Sequence, residues 1–157
     1  MLAVIAHGED TFRLVDASGR DIGWVRANSI GFGGLVSEHA AHAAAVDGAR
    51  ALGRCLKREF GVAHLELSDQ PRTRTRRDDS GEWIVDGKSR IARLLRVENG
   101  PGEDHEFAIE FQLPRYANHG VAINAAQIVY GAMGRDLTGT SGLSALQAAY
   151  DTAEAAG

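Results

Sequence analysis

The chain has 157 residues, 44% hydrophobic and 24% charged, with a formal net charge of −4. That balance fits one globular domain, or two small halves sharing a core, and excludes a disordered chain. The negative charge argues against global attraction to nucleic acid or an anionic membrane, and the single cysteine, Cys55, excludes an internal disulfide and a cysteine zinc site.

No run approaches the roughly 20 apolar residues of a membrane span. The opening MLAVIAHGED is too short and lacks the basic start of a secretory signal, so a cytoplasmic location is expected. Leu2–Ala6 is a short apolar run, and Thr11–Val15 alternates apolar and polar residues as a half-buried strand does. Asp16-Ala17-Ser18-Gly19 supplies turn geometry. Ile22–Arg26 and Ile30–Leu35 are two more strand patterns. A long helical pattern, EHAAHAAAVDGARALGRCLKREF, then starts after Ser37, with Ser37 or a neighbour as its cap, and stops at Gly61. Its small-residue stripe is Ala41, Ala45, Gly48 and Leu52, and Cys55 belongs to the same helix as a small core residue.

The second half repeats this order. Val62–Leu67 alternates, and Ser68–Gly81 is polar and turn-rich, which predicts a mobile hairpin loop. Trp83–Val85 precedes an Asp86-Gly87 turn, Ile91–Val97 is a strand, and Glu106–Leu113 alternates cleanly until Pro114 ends it. Val121–Met133 reads as a helix with a stripe of Val121, Ala125, Ile128 and Ala132. The tail 141–156 places Leu143, Leu146, Tyr150 and Ala153 on one helical stripe, which predicts a short helix docked on its own core or on another chain.

The halves also match residue by residue. FRLVDASGRDIGWV lies over EWIVDGKSRIARLL, IGFGGL over IEFQL, and AHAAAVDGARALGR over AINAAQIVYGAMGR. This is the pattern of an internal duplication. The expected fold is therefore α+β, one domain spanning 1–157. It holds two β-β-β-β-α repeats, 1–61 and 62–137, forming a pseudo-two-fold pair of antiparallel sheets with helices packed on them.

Three groups of residues carry candidate chemistry. Glu38, His39 and His42 have the spacing of one helix face, and two imidazoles with a carboxylate suit a divalent transition metal. The competing reading is a solvated helix start, where Glu38 complements the dipole. At Arg72, Arg74, Arg76 and Arg77, alternating Arg and Thr could extend as a ribbon and contact phosphates, although Asp78 and Asp79 follow at once. Trp24, Arg26, Trp83 and Arg93 are the large residues nearest the sheet face opposite the core, where Glu110 and Gln112 also point and Gly31 and Gly33 leave room. SIGFGGLVSEH lacks the Lys-Ser/Thr ending of a phosphate loop, GTSGLS lacks the nucleophile elbow, and no cofactor motif is present.

The element order from Leu2 to Arg135 resembles that of PUR-repeat and Whirly-type proteins. The matched positions are structural, such as Gly19 with Gly87 and Ile22 with Ile91, so no functional residue carries over. The resemblance implies four antiparallel strands and a helix per repeat, and single-stranded nucleic-acid binding as one function. The leading expectation is a non-enzymatic binding or accessory module, acting through a sheet face or the C-terminal helix as a homodimer. A metal-dependent enzyme using Glu38, His39 and His42 is the third reading.

Overall fold

A computed structural model describes residues 2–8, 10–26, 28–61, 63–65, 67–97, 106–138 and 151. The described residues form an α+β fold, built from one open antiparallel sheet of eight strands and from helices. The strands are β1 (Ala3–Gly8), β2 (Thr11–Val15), β3 (Asp21–Arg26), β4 (Ser29–Leu35), β5 (Thr73–Asp78), β6 (Gly81–Asp86), β7 (Ser89–Val97) and β8 (Glu106–Gln112). Helix α1 (Glu38–Phe60) follows β4, and α2 (His119–Met133) follows β8 and ends in a 3-10 turn over Gly134–Asp136. Among the described residues, no helix is long and apolar enough to cross a membrane.

The strand order is β1-β2-β3-β4-β8-β7-β6-β5. The expected pair of sheets is therefore one continuous sheet, because β4 and β8 hydrogen-bond to each other antiparallel from Ser29↔Gln112 to Leu35↔Phe107. An open strand edge presents unpaired N–H and C=O groups, and pairing β4 with β8 removes two such edges from the middle of the molecule.

Local chemistry fixes the turns. The Asp16 carboxylate accepts hydrogen bonds from the Ser18 N–H, the Ser18 hydroxyl and the Arg20 N–H, closing the β2–β3 turn while Gly19 takes φ +86°. Those bonds hold the Asp16 carboxyl below its usual range, the Ser18 hydroxyl contributing most. In the β6–β7 turn Gly87 takes φ +61°, a conformation that disfavours side chains with a Cβ. Ser37 caps α1 by accepting from the Ala40 N–H, and Gly61 ends it at φ +72°.

Both helices cover one sheet face. Helix α1 lies over β7 and β8, α2 lies over β3 and β4, and the helices pack on each other. The predicted α1 stripe is buried throughout, and at Gly48 an added Cβ would stand 2.5 Å from the Phe111 ring. The absent side chain thus admits Phe111 to the helix surface. In α2 the buried positions are Ala122, Ala125, Ala126, Val129 and Met133, one step round from the predicted stripe. Tertiary packing made that choice, since α2 is apolar nearly all round. Fully burying a side chain such as Phe32 or Phe111 contributes about 1.5–3 kcal/mol. A cap is worth about 1 kcal/mol, so packing holds helices to sheet.

Two expectations of the second half are corrected. Residues 63–65 form no strand, although Leu65 and Leu67 pack against the core. The expected loop 68–81 instead contains β5, paired with β6 from Thr73↔Asp86 to Asp78↔Gly81. The alternation of Thr and Arg in TRTRRD suits an extended ribbon, but an edge strand needs little apolar surface, so the polar run reads first as a loop. The tail helix over 141–156 lies outside the described residues except Asp151, which is helical and exposed.

Candidate binding face

Side chains alternate across a strand, and the helices take one set. The other set faces away from them, and the register aligns it in a row across all eight strands. The row runs Ile5, Arg13, Trp24, Gly31, Glu110, Arg93, Trp83, Arg76. All four residues expected near this face, Trp24, Arg26, Trp83 and Arg93, come from its two central groups.

The first group is built on Glu110, whose side chain is fully buried. Arg26 binds it in a fork, Nε to Oε2 at 2.8 Å and Nη2 to Oε1 at 3.0 Å. The Trp24 indole Nε1 donates to Oε2 at 2.8 Å, and the Ser29 hydroxyl donates to the same oxygen at 3.1 Å. Burying a carboxylate is costly unless it is paired and hydrogen-bonded, and these four hydrogen bonds from three side chains satisfy it. Gly31 makes the arrangement possible: an added Cβ there would fall 2.1 Å from Trp24 Cε2. The room predicted at Gly31 is filled by the molecule's own indole.

The second group is built on Trp83. Arg90 and Arg93 both lie over its ring, at 4.7 and 4.9 Å from the centroid, within cation–π range. The Trp83 Nε1 donates to Ser80 Oγ at 2.9 Å, and Ser80 donates to Asp78. Asp78 also pairs with Arg90. The Ser80 hydroxyl is the main cause holding the Asp78 carboxyl low. Burial pushes the Arg93 guanidinium down, and the facing Glu110 opposes that shift. Trp24 is 4% exposed, and Trp83 and Arg93 are each 5% exposed, so the large residues of the centre are packed on one another.

Accessible charge lies at the β5 edge. The register places Arg76 opposite Trp83 and Arg74 opposite Val85, on the helix-free face. Neither makes an ion pair among the described residues. Arg72 is exposed just before the strand. Arg77 takes the opposite side and pairs with Glu82 at 3.2 Å, so the four arginines do not act on one face. Glu82 also binds Arg96 in a fork, at 3.0 and 3.1 Å, which is the main cause holding its carboxyl low.

The Glu38, His39 and His42 group sits at the start of α1 beside β5. His42 Nδ1 lies 2.7 Å from Thr73 Oγ1 and Nε2 lies 2.9 Å from Thr75 Oγ1, so both ring nitrogens are engaged by the edge strand. Glu38 reaches Arg96 at 3.4 Å, and His39 is exposed. Among the described residues no three His, Cys, Asp or Glu side chains are arranged to hold a metal. Cys55 is buried in the core and its thiol is pushed up, chiefly by burial.

His42 gives a pH prediction. Burial is the main cause depressing its folded pKa, against Glu38 and with His39. The unfolded chain then binds a proton near pH 6.5 that the folded chain resists, so His42 destabilises the fold as pH falls below that value. Urea unfolding of the protein and of His42→Gln at about pH 7.5 and 5.5 measures this. The gap between the two should narrow at the acid pH; an unchanged gap would assign the acid dependence elsewhere.

Sequence reading missed Ser29 and Asp78 as site residues, and it placed Glu110 on this face without counting it among the binding residues. Glu110 had a usable signal: a carboxylate inside the otherwise apolar strand FAIEF must find partners. Comparison with protein-family models, with curated proteins and with solved structures returned no match.

Proposed function

We propose that the protein is a non-catalytic binding module that takes an anionic partner on its helix-free sheet face, at the β5 edge. The carrying observation is the division of that face. Its centre is closed by the Glu110 and Trp83 groups, whereas Arg74 and Arg76 point outward without an ion pair among the described residues. Single-stranded nucleic acid is the second reading. Arginine at every second position of an extended strand repeats along a line at about 6.6–6.8 Å, a ladder suited to a chain of repeated charge.

A duplicated origin is part of the proposal. Its support is the register: β2 slips against β3 between Leu14 and Val15, and β6 slips against β7 between Ile84 and Val85. The extra residues are Ile22 and Ile91, the pair matched in sequence. The strand order also reads the same from both edges, and each helix lies over strands of the other half. On this reading Gly31 and Glu110 are equivalent positions that diverged, one making room and the other supplying charge.

Fluorescence anisotropy with labelled oligothymidylate and labelled polyglutamate, at about 50 and 200 mM salt, tests the function. Nucleic-acid binding should weaken about tenfold in Arg74→Ala/Arg76→Ala, and the log–log salt slope should flatten by about 1.4, or 0.7 per lost phosphate contact. Arginine-dependent binding of polyglutamate alone would keep the first reading and remove the second. No binding of either polyanion at the lower salt would overturn both.

A further inference from the structure

We propose that a cleft between the second half of α1 and residues 63–65 and 67–69 binds an amphiphilic anion, a phosphate or carboxylate head on a short apolar body. This site is separate from the sheet face. Arg50, Arg54 and Lys57 fall at i, i+4 and i+7, one helix face, and all three are exposed. They line one wall of a cavity of about 530 Å³, within the range of small-molecule pockets. Leu65 and Leu67 contribute apolar surface to the opposite wall.

Charge and shape both point to such a ligand. The described lining carries three cations against one acid, Asp69, and Arg50 reaches only the Asp69 backbone carbonyl, at 3.3 Å. Arg54 and Lys57 have no ion pair among the described residues. Complementing the helix dipole explains a cation in the last turn, which accounts for Lys57 but not for Arg50, ten residues from the helix end. Gly53 lies between the cations, where an added Cβ would stand 3.3 Å from the Leu65 carbonyl. Its missing side chain lets the crossing segment approach while leaving the floor open. An anionic head placed among the cations would put its apolar body toward Leu65 and Leu67.

Isothermal titration with octyl phosphate, below its micellar concentration, tests the site against inorganic phosphate and octanol. Octyl phosphate should bind at least about tenfold more tightly than either fragment, a difference of about 1.4 kcal/mol. Octanoate in place of octyl phosphate decides which head is preferred, and preference for either supports the site. Arg54→Gln/Lys57→Gln changes only exposed side chains and should weaken octyl phosphate binding about tenfold or more. Gly53→Leu keeps the charges but fills the floor, and should weaken it too. No binding of either amphiphile at millimolar concentration, or equal binding by the folded double variant, would overturn the proposal.

Discussion

Glu110→Ala is expected to lower the unfolding free energy by about 3–5 kcal/mol, the range for removing one partner of a buried charge pair. The alanine leaves Arg26, Trp24 and Ser29 without the oxygens they now share. It also removes the Glu110 charge that sits beside the largely buried Arg26 and opposes its repulsion with Arg93. For a domain of this size that loss corresponds to a melting temperature lower by roughly 6–20 °C. Urea unfolding followed by tryptophan emission measures it, since Trp24 reports directly on the site. Glu110→Gln retains an acceptor and the side-chain shape, and should fall between alanine and the parent. An alanine loss below about 1 kcal/mol would mean that the three donors reach solvent or other acceptors, and that the centre of the face is not closed.

The second large effect is expected at Gly31. Valine there would drive its Cβ into the Trp24 indole, 2.1 Å from Cε2 and 2.7 Å from Nε1. Gly31 and Trp24 are directly opposed in the β3–β4 ladder, so the ring must swing away and give up its bond to Glu110. Overpacking costs about 1–3 kcal/mol and a hydrogen bond to a charged group about 1.5–3 kcal/mol. Because the indole swing relieves part of the clash, the expected loss is about 3 kcal/mol rather than the sum. Tryptophan emission should also shift to the red as the indole meets water. Gly131→Ala is the control: nothing lies within 4 Å of its added Cβ, and its helix interior position predicts a gain of up to about 1 kcal/mol. If Gly31→Val were as stable as the parent with unshifted emission, the indole would not depend on the glycine.

Much of the local structure was legible because it depends on neighbours in the chain. Ser37 and Gly61 as the ends of α1, Gly87 in its turn, and the alternation of Phe107, Ile109 and Phe111 all follow from backbone stereochemistry and the period of a strand or helix. The likeness of Ile22 and Ile91 was also visible in the sequence, and each is the unpaired residue where β3 or β7 slips against its neighbour.

Strand β5 was legible only as an extended ribbon of alternating Thr and Arg, not as a member of the sheet. Its partner is a strand rather than a core, and its threonines face His42 instead of apolar side chains. The buried face of α2 was displaced by one position because an apolar helix leaves its orientation to whatever it packs against.

The sequence by itself determined the α+β class and the order of most elements. Only the tertiary structure decided that the sheet is single, since the β4–β8 pairing joins residues about eighty positions apart and has no local signal. It also decided what the helix-free face offers. Trp24, Arg26, Trp83 and Arg93 looked equally available as single residues. Packing closed them around Glu110 and Ser80 and left Arg74 and Arg76 outward, because a buried charge must be paired whereas an arginine on an edge strand can remain in water.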